Sequence, residues 1–172
     1  MVTYGIAELN SIKEKMSVAY LHGLNAKVNF ALMESNKDFD GLQIDFKMAN
    51  KKIGPGRTVA SESHEINLQL KSVSISSASM IEEKEHEFVY TLSNDLQPLG
   101  THYIILLVLP PDKDIETWHE VTPEYLLLRS TAYFYLVTKP LKPGKIHFDK
   151  SNVLNPVSLV ELFDAAKKKD AL

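Results

Sequence analysis

Apolar positions Leu9, Ile12, Met16, Ala19, Tyr20 and Leu24 recur at three- and four-residue spacing, which predicts an amphipathic helix over about Tyr4 to Leu32. Gly23 and Asn25 weaken its far end, so the helix is expected to pause there or close a turn later. Polar Glu34–Asp40 reads as a loop. From Leu42 to Met48 the chain alternates apolar and polar residues with period two, the pattern of a half-buried strand. A turn is expected at Gly54–Arg57, where glycines permit positive φ. The alternation resumes over Ile66–Val73, with Ile66, Leu68 and Leu70 on one face. These two segments read as the arms of a long β-hairpin, with Asp45 opposite roughly Ile66–Gln69.

Further along, Glu87–Leu92 reads as a short strand and His102–Leu109, almost wholly apolar, as a strand buried on both faces of a covered sheet. Pro110 and Pro111 end it. Glu124–Arg129 and Tyr133–Val137 fit either strands or a buried helix, because periodicity does not separate these for short apolar runs. Lys145–Asp149 reads as a short strand. A last helix opens at Pro156, with Val157, Val160, Leu162, Phe163 and Ala166 on its apolar face and Lys167–Lys169 at the dipole's negative end. The expected class is α/β: a mixed sheet between an N-terminal and a C-terminal helix.

Composition narrows the function classes without selecting one. The 172 residues are of a size for a single domain spanning 1–172. Cysteine is absent, which removes disulfide scaffolds, zinc ribbons and thiol catalysis together. Nineteen basic residues against 22 acidic ones give a net charge of −3, the wrong sign for a tight non-specific nucleic-acid binder. Met1–Asn10 has neither a basic start nor a long apolar stretch, and Tyr103–Leu109 is too short for a bilayer span, so a cytoplasmic protein with no membrane partner is expected.

The hairpin's polar face carries candidate chemistry. Gln43, Asp45 and Lys47 share one face of the first arm, and Gln69 and Lys71 share one face of the second. If the apolar faces pair together, Asp45, Gln69 and Lys71 meet on the other side. A carboxylate, an amide oxygen and an ammonium in one patch suit a hard cation such as Mg²⁺, which takes one or two carboxylates and keeps several waters. A lysine beside such a cation can orient or activate water for attack on a phosphodiester. The plain alternative is a solvated face whose charges pair across strands.

Three stretches carry a resemblance. Lys13–His22, Asp38–Asp45 and Leu68–Ser72 are similar to segments of a bacterial family of small domains of unknown function, assigned to the PD-(D/E)xK, restriction-endonuclease-like superfamily. The order of the later elements agrees: Ile104–Pro110, Trp118, Leu126–Tyr133, and Lys145–Asp149 followed by Asn152 and a helix. The resemblance implies a restriction-endonuclease-like core with a site-bearing hairpin, and a nuclease dependent on Mg²⁺ or Mn²⁺. In that frame Asp45 is the metal-binding aspartate, Lys71 the lysine of the motif, and Gln69 stands where Asp or Glu is usual. Glu14 on the first helix is the expected additional metal ligand, ahead of Glu8, and Asp40 is the second choice for the role of Asp45. The implied setting is bacterial defence against phage, acting on DNA, with RNA the alternative substrate, and with a protein partner from that defence system and a homodimer both compatible.

Lys47, Lys51, Lys52 and Arg57 cluster on the hairpin as candidate phosphate contacts. The six histidines show no metal-ligand spacing, and His64 alone lies near the proposed site. The serines lack a nucleophile elbow, and there is no Walker loop or Gly-x-Gly-x-x-Gly turn. Trp118, Tyr133 and Tyr135 read as core. A second function class stays open: a catalytically inactive nuclease-like subunit that docks onto a protein partner, favoured by the net charge and by Gln69.

Overall fold

The computed structural model describes residues 4–35, 43–49 and 64–170, with the backbone alone for 167–170. The first helix, α1, spans Ile6–Val28. Glu8 reaches back to accept the Gly5 N–H at 2.7 Å, closing the helix start. Gly23 and Asn25 do not interrupt the helix; instead Asn25 brackets Phe30 with two side-chain hydrogen bonds. Asn29 takes the left-handed conformation (φ 55°, ψ 43°) and ends it. The expected helix to Leu32 is therefore too long, and Ala31–Glu34 is a strand, β1. Its residues pair outward to the next strand, which takes them away from the helix axis.

Strand β2 is Phe46–Ala49 and β3 is Glu65–Ser74. They pair antiparallel, Phe46 opposite Leu68, so the expected hairpin pairing holds with Asp45 just beyond the first pair. The arms are unequal, because β2 covers only the first part of β3. The predicted turn at 54–57 lies outside the described residues, as does the whole of 36–42.

After β3 come β4 (Ile81–Glu83), β5 (Glu87–Leu92) and β6 (His102–Leu109). A 3₁₀ turn at Asp112–Thr117 leads into β7 (His119–Val121) and β8 (Leu126–Leu128). Strands β9 (Thr131–Val137) and β10 (Gly144–Asp149) precede the last helix, α2 (Pro156–Asp170). The ambiguous segments are thus strands. Asn155 caps α2, its side chain accepting the N–H groups of Val157 and Ser158.

The main sheet is mixed, in the order β1-β2-β3-β6-β9, with β3 and β6 its one parallel pair. A parallel pair needs a long crossover. Here the crossover carries β4 and β5, which join β10 in a second, antiparallel sheet. β6 supplies both faces: Tyr103, Ile105 and Leu107 pack with Met16, Leu21, Leu159 and Phe163 of the helices. Ile104 and Leu106 pack with Phe88, Leu92, Ile146 and Phe148 of the second sheet. Each such large side chain, fully buried, contributes about 1.5–3 kcal/mol. In α2 the inward stripe is Leu159, Leu162, Phe163 and Ala166, whereas Val157 and Val160, expected in it, are exposed. They lie on the neighbouring flank of the helix, rotated away from the sheet. Trp118 is fully buried, and Tyr133 and Tyr135 pack against the second cluster, as expected of core aromatics.

Candidate functional site

Because β2 stops pairing at Leu68, the rest of β3 has no paired strand on that side among the described residues, an open edge. The ladder parity turns the backbone groups of Leu70 and Ser72 toward that edge. Asp45 bridges the transition. Its N–H donates to Leu68 O at 2.9 Å and its carbonyl accepts the Ser35 N–H at 2.8 Å. Its carboxylate accepts the Leu70 N–H at 2.6 Å. A charged acceptor thus satisfies the first open amide of the sheet edge, a short, charge-assisted bond that fixes the carboxylate.

A cleft of about 610 Å³ opens at this edge. Lys13, Glu14 and Ser17 of α1 form one wall; Glu34, Ser35 and Asp45 another; Lys71, Ser72 and Tyr90 complete it. Three residues predicted from sequence, Glu14, Asp45 and Lys71, therefore share one cavity, although 57 positions separate the first from the last. Burial pushes the Lys71 amine below its ordinary value, and the neighbouring Asp45 charge offsets part of that.

Gln69 is placed differently. It lies on the Lys71 face of β3, as the alternation predicts, but is only 2% exposed and does not line the cleft. Its amide donates to Gln43 Oε1 at 2.7 Å, and Gln43 in turn donates to the Asp95 carbonyl. Gln43 has φ 54°, so this chain of amides pins a left-handed residue two positions before Asp45. Gln69 is in a place to position Asp45 rather than to touch anything in the cavity. Glu8 serves the start of α1 and also lies outside the lining. Lys47 sits half-buried on β2 opposite Asn67, outside the cleft. Asp40, Lys51, Lys52 and Arg57 fall outside the described residues.

Lys13, Glu34, Ser35 and Tyr90 are lining residues that sequence reasoning missed. Lys13 was readable as a polar position on the helix, but its partner was not. It pairs with Asp112 at 2.9 Å, lies 3.4 Å from Ser74 Oγ, and passes over the Trp118 ring. Glu34 and Ser35 reach the cleft only because β1 pairs with β2, a pairing that no local pattern announces.

Among the described residues, no three of the His, Asp and Glu side chains group closely enough to form a metal cage. Glu14 and Asp45 both line the cleft, and two carboxylates are the kind of donor that Mg²⁺ or Mn²⁺ takes while holding most of its waters. With no cysteine in the chain, any such ion has oxygen ligands to choose from first. Gln69 is not in the cleft lining: its Nε2 is bonded to Gln43, and its Oε1, the atom a metal would take, is buried without a hydrogen-bond partner. No family model, curated protein or solved structure matches this chain.

Proposed function

We propose that this cleft is the active site of a Mg²⁺- or Mn²⁺-dependent nuclease with a restriction-endonuclease-like core, cleaving phosphodiester bonds of DNA in the cytoplasm in defence against phage. The observation that carries the reading is the meeting of Glu14, Asp45 and Lys71 at the open end of β3, with Asp45 fixed by the Leu70 amide. Glu14 and Asp45 would hold the divalent ion, whose contribution when bound is to polarise the phosphate and its attacking water. Lys71, as ammonium, orients the water by hydrogen bonding and stabilises negative charge on the phosphate oxygens as it develops. Gln69 and Gln43 keep the Asp45 segment in register. Lys47 would contact the phosphate backbone outside the cleft, and Lys51, Lys52 and Arg57, near it in sequence, are the further candidates for such contacts.

Digestion of plasmid DNA and of RNA, with Mg²⁺ or Mn²⁺ and against EDTA, tests the proposal when run beside Asp45→Ala. The expected result is divalent-dependent cleavage of DNA by the parent and none by the variant. Cleavage that persists in Asp45→Ala, or in EDTA, contradicts it. A second reading is supported by Gln69 being turned into the protein and by the net charge of −3: a nuclease-like subunit without activity, serving a protein partner. In that case parent and variant are equally inert under all of these conditions.

A further inference from the structure

Val121, Tyr125, Leu126 and Leu127 are 71, 52, 59 and 42% exposed, and all four belong to the hairpin of β7 and β8. That hairpin is a two-stranded sheet, with no third strand beside it among the described residues. Natural edge strands are guarded by charge, proline or a bulge. Leu126–Leu128 has no charge and no proline. Hydrogen-bond parity identifies which backbone groups are open. Arg129 N–H donates to Trp118 O at 2.8 Å and Thr122 N–H to Tyr125 O at 2.9 Å. Leu127 lies opposite Glu120 between them, so residues 125, 127 and 129 turn their backbone groups toward β7. Leu126 and Leu128 turn theirs away, to an edge that no described strand occupies.

We propose that this edge pairs with the same edge of a second copy of the chain, β8 antiparallel to β8, with Leu127 on the twofold axis. The edge is complementary to itself in that sense. With Leu127 opposite its counterpart, the outward-facing Leu126 of each copy meets Leu128 of the other, and each pair exchanges two backbone hydrogen bonds. The same register sets the Tyr125 ring across from Arg129 of the second copy, a cation–π arrangement. Arg129 reaches Glu120 of its own chain only at 3.9 Å, while the Tyr125 hydroxyl donates to that carboxylate at 3.1 Å. Acid, phenol and guanidinium therefore line one face, and across the axis the guanidinium of each copy is set against the phenol ring of the other. A parallel arrangement would instead place Arg129 against Arg129. A closed twofold contact of this kind uses the same patch on both copies and leaves no edge to propagate. The proposal is independent of whether the cleft cuts nucleic acid.

The absence of cysteine makes the test clean. Leu127→Cys introduces the sole thiol at a non-hydrogen-bonded pair on the axis, where opposing Cβ atoms lie within disulfide reach. Val121→Cys places it on the outer strand, about three strand spacings from its counterpart, or roughly 14 Å. Sedimentation of the parent across a concentration series should give twice the 19.4 kDa chain mass at the upper end. Under mild oxidation Leu127→Cys should crosslink to a dimer and Val121→Cys should remain monomeric. Leu126→Pro removes an outward N–H and keeps the bonds to β7, and should be monomeric. Leu127→Glu, a change at an exposed side chain, should also be monomeric, and reads out even if Leu126→Pro does not fold. A parent that stays monomeric throughout overturns the proposal, including one whose edge binds a foreign peptide strand. So does a dimer that survives Leu127→Glu, or Val121→Cys crosslinking as fast as Leu127→Cys.

Discussion

Lys13 carries a charge into a nearly closed site because three groups receive it: the Asp112 carboxylate, the Ser74 hydroxyl and the face of Trp118. Burial works to raise the Asp112 pKa, but the bonds from Lys13 and Ser74 outweigh it and hold the carboxyl below its ordinary value. Lys13→Met keeps the stem's packing and strands the carboxylate, so it should cost about 1–3 kcal/mol in chemical denaturation. Gln69 makes a different demonstration. It is buried and bonded away from the cleft, so Gln69→Ala should cost about 1–2 kcal/mol of stability. The same variant should lower cleavage less than tenfold in its folded fraction, whereas a metal ligand at this position would lose nearly all of it. His102 is fully buried, with neither ring nitrogen hydrogen-bonded, and burial pushes its pKa down to about 4. Below about pH 6.5 the unfolded chain takes up a proton that folded His102 refuses, so its effect is to reduce stability as pH falls from 6.5 to 4. The loss should be about 2–3 kcal/mol across that window, and His102→Phe should flatten the slope in urea titrations at several pH values.

At the scale of elements, what was legible was what local periodicity controls. Of the two period-two runs, Ile66–Val73 became β3 with nearly the predicted bounds, whereas strand in the first is confined to Phe46–Ala49 among the described residues; Glu87–Leu92 became β5, and the apolar run His102–Leu109 became the strand packed on both faces. The end of α1 was not legible, because it depends on Asn29 adopting a left-handed conformation and on Asn25 holding Phe30. Residues 30–32 look as helical as those before them until their pairing with β2 is known. The same long-range pairing carries Glu34 and Ser35 into the cleft, which is why they escaped notice while Asp45 and Lys71, placed by alternation, did not. In α2 the three-four spacing was recognised but its phase was not: Val157 and Val160 fit the spacing as well as Leu159 does, and only the packed sheet decides between them. Alternation also put Gln69 and Lys71 on one face correctly. It carried no information that β2 and the Gln43 segment would cover one of them and leave the other at the open edge.

Across the whole molecule, two layers of apolar side chains hold a five-stranded mixed sheet between helices on one face and a three-stranded sheet on the other. Among the described residues no helix is long and apolar enough to cross a membrane. The net charge of −3 sets an electrostatic limit: on the proposed function, attraction to phosphates has to be local, around Lys47 and Lys71 among the described residues, and should weaken with salt. On the proposed function Lys71 also sets the pH behaviour. Its amine sits below the ordinary lysine value, so cleavage that needs the ammonium should fall on the alkaline side at a lower pH than an exposed lysine would give. The central claim is that the cleft at the end of β3 performs the chemistry, with Lys71 acting on the attacking water. It is tested most directly by measuring Mg²⁺-dependent DNA cleavage by the parent and by Lys71→Ala, after matched thermal denaturation establishes that both are folded. The account predicts that Lys71→Ala keeps its fold and loses cleavage by a factor of about 100 or more. Equal cleavage rates in the two proteins would contradict it.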